Sequence, residues 1–268
     1  MTVPGNQRSI DRLPPAYRLY QWAWAGLDWL YPPFCGGCGK PGTRWCADCQ
    51  AAISLILPPV CSRCGQKWSN NEPCLECQTI ERPYRAIRSW AFYTGPLRTA
   101  ILRLKYKGEL TLGDVLAQPI LHMLKNLAWD LDLVVPVPIA PSRLVKRGYN
   151  QAALLAWPIA LGGKLAYHRT ALAKIRQSRS QVGLSVAERF QNVAGAFQAD
   201  PRIVAGRSIL VVDDVMTSGA TLEACATALV QAGAAQIYGV TLARAGSVED
   251  HRLDIRFERA HQASAEPG

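Results

Sequence analysis

Apolar positions along this chain follow two periods, and the switches between them outline a fold. Residues 89–93 (SWAFY) are a short run that predicts a strand. PLRTAILRLKYKG follows, with Leu97, Ile101 and Leu104 at helical spacing, Pro96 at its opening and Gly108 at its end. That pattern predicts an amphipathic helix. A second helix is predicted over roughly 111–126. LVVPVP (133–138) predicts a strand running into a loop, and residues 150–161 a helix interrupted at Pro158. ILVV (209–212) predicts a strand, residues 220–232 a helix, and residues 237–242 a last strand. Leu222, Cys225, Ala226 and Leu229 share one face of that helix, and Gly233 stops it. Strands alternating with helices predict an α/β fold with a mostly parallel sheet.

Length and composition narrow the class. With 268 residues, 49% apolar and 19% charged, the chain can bury one large core or two smaller ones. A net charge of +10 asks for an anionic partner, either a phosphate-rich small molecule or nucleic acid. The start, MTVPGNQRSIDRLPP, lacks the basic-then-apolar order of an export signal. Residues 17–30 (YRLYQWAWAGLDWL) are apolar and Trp-rich, but carry Arg18, Gln21 and Asp28 and are too short to span a bilayer. They predict an N-terminal helical segment (1–30) packed on the protein's own body, with an interfacial helix as the alternative. A cytoplasmic location is expected. The polar tail 246–268 ends QASAEPG and is expected to be disordered at its end.

Between them, residues 31–80 hold most of the cysteine. Eight of nine cysteines fall in four Cys-x2-Cys pairs: Cys35/Cys38, Cys46/Cys49, Cys61/Cys64 and Cys74/Cys77. CGGCG is answered by CSRCG, so the segment is an internal repeat. Two intervening residues let both thiolates turn onto one ion, and the glycine permits the tight turn. Four thiolates suit a closed, structural zinc site and leave no open position for catalysis. The repeat favours sequential ligation, one zinc per repeat, with an interleaved cross-brace as the alternative. A segment of about 50 residues has little core, so metal supplies its folding energy. Cys225 reads as a small core residue.

The chemistry concentrates in ILVVDDVMTSGAT (209–221). In open α/β sheets, ligands bind beyond the carboxyl ends of the strands, where Asp213 and Asp214 stand. The loop Thr217, Ser218, Gly219, Ala220, Thr221 then feeds a helix N-terminus, whose amides, hydroxyls and dipole cradle phosphate. Two carboxylates before such a cradle suit a ribose 5-phosphate, with the acids on the 2- and 3-hydroxyls and the loop on the phosphate. Magnesium would offset the crowded negative charge. A Walker B strand would need a P-loop upstream, and Gly163-Lys164 is followed by Leu165. A receiver domain would need more than the 54 residues that follow Asp214.

VVDDVMTSGAT closely resembles the phosphoribosyl diphosphate (PRPP) motif of type I phosphoribosyltransferases. Met216 and Ser218 depart from its usual residues but keep the phosphate-loop chemistry. With the paired cysteines, LKYKG (104–108), PVPIAPSRLVKRGYNQA (136–152) and RSQVGLSVAERFQNVAGAF (179–197), the chain is similar to the ComF family of competence-associated proteins. The resemblance implies a type I phosphoribosyltransferase-like parallel sheet with helices on both faces over residues 85–245, preceded by a double zinc ribbon. It implies handling of single-stranded DNA in natural transformation at the cytoplasmic face of the inner membrane, beside other competence proteins. Some relatives are connected instead with uptake of carbon sources.

A divided site follows. Asp213 and Asp214 would hold the ribose, and Thr217 to Thr221 the 5-phosphate. Between residues 140 and 191, nine Lys or Arg face one Glu. Arg143, Lys146 and Arg147 lie in the loop after LVVPVP, where pyrophosphate is expected, and Lys105 and Lys107 end the earlier helix. Residues 174–192 resemble a mobile hood over PRPP, with Gln181, Arg189 and Asn192 as its candidate contacts. His122 and His168 read as structural, and no general base stands out. Two functions therefore stay open: a Mg2+-dependent phosphoribosyltransferase with an unidentified acceptor, or a non-catalytic PRPP-sensing factor that binds single-stranded DNA. A membrane-side scaffold using residues 17–30 is a third.

Overall fold

The computed structural model describes residues 14–17, 19, 22, 32–177 and 185–246. Its core is a five-stranded sheet whose neighbouring strands are all parallel. The strands are β1 (Ala86–Phe92), β2 (Leu133–Pro136), β3 (Ala166–Tyr167), β6 (Ser208–Met216) and β7 (Gln236–Arg244), in the order β1-β7-β6-β2-β3. A separate antiparallel pair, β4 (Leu172–Lys174) and β5 (Phe197–Ala199), lies between β3 and β6 in the chain.

Alternation along the central strands sends side chains to both faces. Val135, Ile209 and Val211 join one apolar cluster, and Val134, Leu210 and Val212 the other. The first is covered by α9 (Ala220–Gln231) through Leu222, Cys225, Ala226 and Leu229. The second is covered by α3 (Gly95–Tyr106), α4 (Leu112–Lys125) and α6 (Gln151–Gly163). On α3, Leu97, Ile101 and Leu104 are fully buried, as their spacing predicts. Pro158 does not interrupt α6, contrary to the sequence expectation. A proline inside a helix costs about 3 kcal/mol. Burial of Leu155 and Ile159 on either side of it contributes about 1.5–3 kcal/mol each, which offsets that cost.

Two further boundaries differ from the sequence reading. The expected loop carrying Arg143 and Arg147 is a short helix, α5 (Pro141–Arg147), opened by Pro141 and closed by Gly148 in the left-handed region. Strand β6 does not stop at Val212. It continues through both aspartates to Met216, because Asp213, Val215 and Met216 pair with Thr241, Ala243 and Arg244 of β7.

Both ribbons have the same local build. Gly39 N–H donates to the Cys35 carbonyl at 2.8 Å and Gly65 N–H to that of Cys61 at 3.0 Å. Phe34 bridges Pro41 and Val60 bridges Lys67. A five-residue helix follows each turn, α1 (Ala47–Ala51) and α2 (Leu75–Thr79), with Cys46 and Cys74 as the N-cap residues. Near the N-terminus, Tyr17 is fully buried in the cluster of α3 and α4 and its hydroxyl accepts from Gln118, whereas Leu19 and Trp22 are exposed. Helices α7 (Val186–Val193) and α8 (Pro201–Val204) complete the chain, α7 opening on a capping box between Ser185 and Glu188. Among the described residues no helix is long and apolar enough to cross a membrane.

Candidate functional site

The zinc centres form where the sequence predicts, and ligation is sequential. Cys35, Cys38, Cys46 and Cys49 bring their sulfurs within 4.8 Å of one another, as do Cys61, Cys64, Cys74 and Cys77. Tetrahedral ligation at about 2.3 Å per Zn–S bond sets sulfurs about 3.8 Å apart. The Sγ atoms of Cys38 and Cys46 are 3.6 Å apart, and those of Cys64 and Cys74 3.8 Å, so the donor set fits zinc. Backbone amides aim at the sulfurs: Cys46 N–H donates to Cys35 Sγ at 3.4 Å and Cys74 N–H to Cys61 Sγ at 3.2 Å. Burial pushes the Cys35 thiol up, but the amides of Cys38, Cys46 and Gly37 outweigh it and bring it down to about 6. Cys61 is brought to about 6 in the same way, against burial, by the amides of Cys74, Cys64 and Arg63. Burial raises Cys49 and Cys64 strongly and Cys77 to about 11, so those thiols need the metal's charge to ionise. Cys225 is fully buried on α9, with its thiol pushed up by burial and by Asp213.

The second centre lies at the carboxyl end of β6. A cavity of about 320 Å³ opens there, walled by Asp213, Thr217, Gly219, Thr221, Lys105 and Tyr93. Of the predicted PRPP residues, Asp213, Thr217, Gly219, Ala220 and Thr221 line it. Gly219 caps α9 with φ +84°, a conformation that favours glycine, and a Cβ on it would stand 2.7 Å from the flexible end of Met216 at Cε. Ser218 supports the turn from behind, its hydroxyl accepting from Ala220 N–H at 3.5 Å. Asp214 is 3% exposed and sits behind the wall.

Among the described residues that line the cavity, Lys105 supplies the positive charge. Lys105 Nζ lies 2.7 Å from Asp214 Oδ2, which has no other partner among the described residues. Burial works against the Lys105 ammonium, but the Asp214 carboxylate outweighs it and holds the pKa above the ordinary lysine range. Asp213 is pushed well above the carboxylate range, first by burial and then by the neighbouring Asp214 charge. Its Oδ1 accepts from Asp214 N–H at 2.9 Å.

The remaining predicted contacts stand apart. Arg147 donates to Gln151 and lies 5.2 Å over the Tyr106 ring. Arg143 is exposed on α5, and Arg189 and Asn192 sit on α7, where the Asn192 carbonyl accepts from Arg176 at 3.4 Å. None of these four lines the cavity. Gln181 lies outside the described residues.

Two cavity neighbours escape sequence reasoning. Tyr93 follows the last residue of β1, so its one signal is the rule placing ligands at strand ends. Burial raises its hydroxyl. Lys174 ends β4, 5.4 Å over the Phe197 ring, with an ammonium lowered by burial and by Arg143. Nothing in its sequence neighbourhood distinguishes it from the other cations there.

Comparison with known proteins agrees with this two-part layout. Residues 26–78 match the double zinc ribbon domain and residues 152–258 the phosphoribosyl transferase domain. The chain is 30% identical over 215 residues to the DNA utilization protein YhgH of Salmonella typhi, covering 77% of this chain and 94% of that one. It is 27% identical to Competence protein F of Haemophilus influenzae, over 79% of this chain and 90% of the relative. Competence protein ComFC of Bacillus subtilis is 26% identical, over 76% and 86%. Among solved structures, the glutamine PRPP amidotransferase from B. subtilis aligns over 55% of this chain and 33% of its own, at 23% identity and TM-score 0.33.

Proposed function

Because the chain belongs to the ComF family of competence and DNA-utilization proteins, a double zinc ribbon followed by a type I phosphoribosyltransferase domain, we propose that its cavity binds PRPP and supports pentosyl transfer to an acceptor. One observation carries the reading: Asp213 and the amide turn at Gly219 face a common space of about 320 Å³. A pentose fits between them with its hydroxyls at the acid and its 5-phosphate at the turn, where Thr217 and Thr221 add hydroxyls and α9 its positive end.

Transfer would proceed at the anomeric carbon. The C1–O bond to pyrophosphate breaks with its electron pair leaving on the pyrophosphate. A nucleophile's lone pair forms the new bond at C1, and the nucleophile loses its proton to solvent or to a base. Positioning and charge stabilisation carry such a step. Lys105 already neutralises Asp214, so magnesium would arrive on the pyrophosphate and stabilise the departing charge.

A second reading has its own support. Tyr106 is 70% exposed beneath the Arg147 guanidinium, and α5 buries none of its residues. An exposed ring beside cations is a stacking platform for single-stranded nucleic acid. In that reading the cavity senses PRPP without turnover, and the DNA-facing role accords with the relatives' names.

Calorimetric titration with PRPP and Mg2+ tests the binding, with loss expected in Asp213→Ala. Release of pyrophosphate from PRPP in the presence of candidate acceptors, abolished by the same substitution, selects the transferase. Salt-sensitive binding of single-stranded DNA that survives Asp213→Ala, with no turnover, selects the sensor.

A further inference from the structure

Position along the chain groups Lys105 with the other cations available to pyrophosphate. Its side chain goes elsewhere. It reaches from the last turn of α3 to the Asp214 carboxylate, 2.7 Å away, at the sugar end of the cavity. Only 19% of the side chain is exposed.

The helix that delivers it is fixed on both flanks. Arg103 Nη1 donates to the Cys35 carbonyl in the first zinc turn at 3.2 Å. Pro96 packs against Gly37, where an added Cβ would come within 2.8 Å of Pro96 Cβ. The Tyr149 hydroxyl donates to the Leu104 carbonyl at 2.6 Å, one residue before the lysine. An ammonium on so restrained a helix is a fixed part of the cavity wall. Two carboxylates on consecutive residues beside a partly desolvated space repel each other and any phosphorylated ligand. A fixed ammonium on one of them removes that repulsion without drawing on a metal ion.

We infer that Lys105 is a positioning residue for the sugar end of the cavity: it holds and neutralises Asp214 so that Asp213 is presented to the ribose hydroxyls, while the diphosphate is met by other cations. The inference rests on the PRPP reading above and adds to it a division of labour among the cations.

Two partial ligands separate the two ends: ribose 5-phosphate, and inorganic pyrophosphate with Mg2+. Each is titrated by calorimetry into the full-length, zinc-loaded chain. Lys105→Met is expected to weaken ribose 5-phosphate by roughly tenfold or more and to leave pyrophosphate within about twofold, as loss of a charge-assisted contact at one end requires. Lys105→Arg is expected to restore ribose 5-phosphate to within about threefold, since it returns the charge. Pyrophosphate weakened with ribose 5-phosphate retained would place Lys105 at the diphosphate and overturn the inference. Equal binding of both ligands by wild type and Lys105→Met would reduce the contact to a structural ion pair and overturn it as well. Should Lys105→Met lose zinc or fail to fold, the double variant Lys105→Met/Asp214→Asn, which removes the carboxylate charge together with the ammonium that offsets it, takes its place: both ligands retained to within about threefold support the inference, and weakening of either overturns it. A wild type that binds neither PRPP nor either partial ligand sinks the function and the inference together. Wild-type binding that ignores Lys105 sinks the inference alone.

Discussion

The two zinc ribbons share a sequence pattern and differ in what they lean on. In the first, Cys38 and Cys46 are only half-buried, whereas all four sulfurs of the second are buried. Gly39 and Gly65 hold the same place in each turn, with φ of +80° and +72°. A Cβ on Gly39 would meet only the end of the Arg103 side chain at 3.4 Å, but one on Gly65 would stand 2.4 Å from the Ile87 carbonyl oxygen. The first ribbon's zinc turns touch helices α3 and α4 through Arg103 and through Leu112 over Gly36, and only the segment after its helix reaches the sheet, where Leu55 bridges Ala91 of β1. The second is joined to the sheet itself. Ile87 N–H donates to the Arg63 carbonyl at 2.7 Å, Arg88 to that of Ser62 at 3.0 Å and Arg244 to that of Cys64 at 2.8 Å. Arg82 adds ion pairs to Glu76 on α2 and Glu223 on α9. One motif can therefore be docked in one copy and built into the domain in the next. The second is where the fold depends on metal.

The largest test of that contrast removes one ligand from each site. Cys64→Ala is expected to abolish cooperative unfolding of the whole chain. Structural zinc contributes an apparent ~10–16 kcal/mol, which matches or exceeds a domain's net stability of about 5–15 kcal/mol. Cys38→Ala is expected to leave a folded domain that retains zinc in its second ribbon. Zinc content and thermal melts read both, and equal losses would break the comparison. Arg82 comes next. Its guanidinium is 6% exposed and Glu223 22%, so Arg82→Met strands partly buried charge and is expected to cost about 2–3 kcal/mol in urea unfolding. Arg103→Met, which removes one contact to the first ribbon, is expected to cost about 1 kcal/mol. The glycines give a matched pair that spans the same range. Gly39→Ala carries only the backbone penalty of about 1 kcal/mol, and Gly65→Ala carries about a further 1–2 kcal/mol because the Ile87 carbonyl must move. Similar midpoints for the two would mean that the second ribbon yields as easily as the first. The smallest effect belongs to Lys40, whose pair with Asp48 at 2.8 Å is fully exposed. Lys40→Ala is expected to leave the unfolding midpoint unchanged.

What the chain discloses before folding follows the range of the interaction. The zinc ligands are legible because two sulfurs three residues apart already share a turn. The phosphate loop is legible because strand, acids, turn and helix are contiguous from residue 209 to 231. Helix α5 is not, because a seven-residue helix with no buried face carries no apolar period. Strands β3 to β5 span two or three residues each, too few for alternation to register. Tyr93, Lys105 and Lys174 reach the site's surroundings from three separate elements, and no spacing rule encodes a meeting between them. The Lys105–Asp214 pair is legible only once α3 is packed against the sheet.

Arg244 ends β7, and its guanidinium touches both the Cys64 carbonyl and Met216 Sδ, the latter at 3.4 Å. Met216 in turn fills the space above Gly219. A protein engineer who trims this chain at about residue 80, to obtain a tidy catalytic fragment, would take away the carbonyls that Arg88 and Arg244 grip and bare the flank of the phosphate turn. The border near residue 80 that the family boundaries suggest is therefore not a seam for dissection, and the stretch between the ribbons is none either, because Leu55 bridges Ala91 of β1 there.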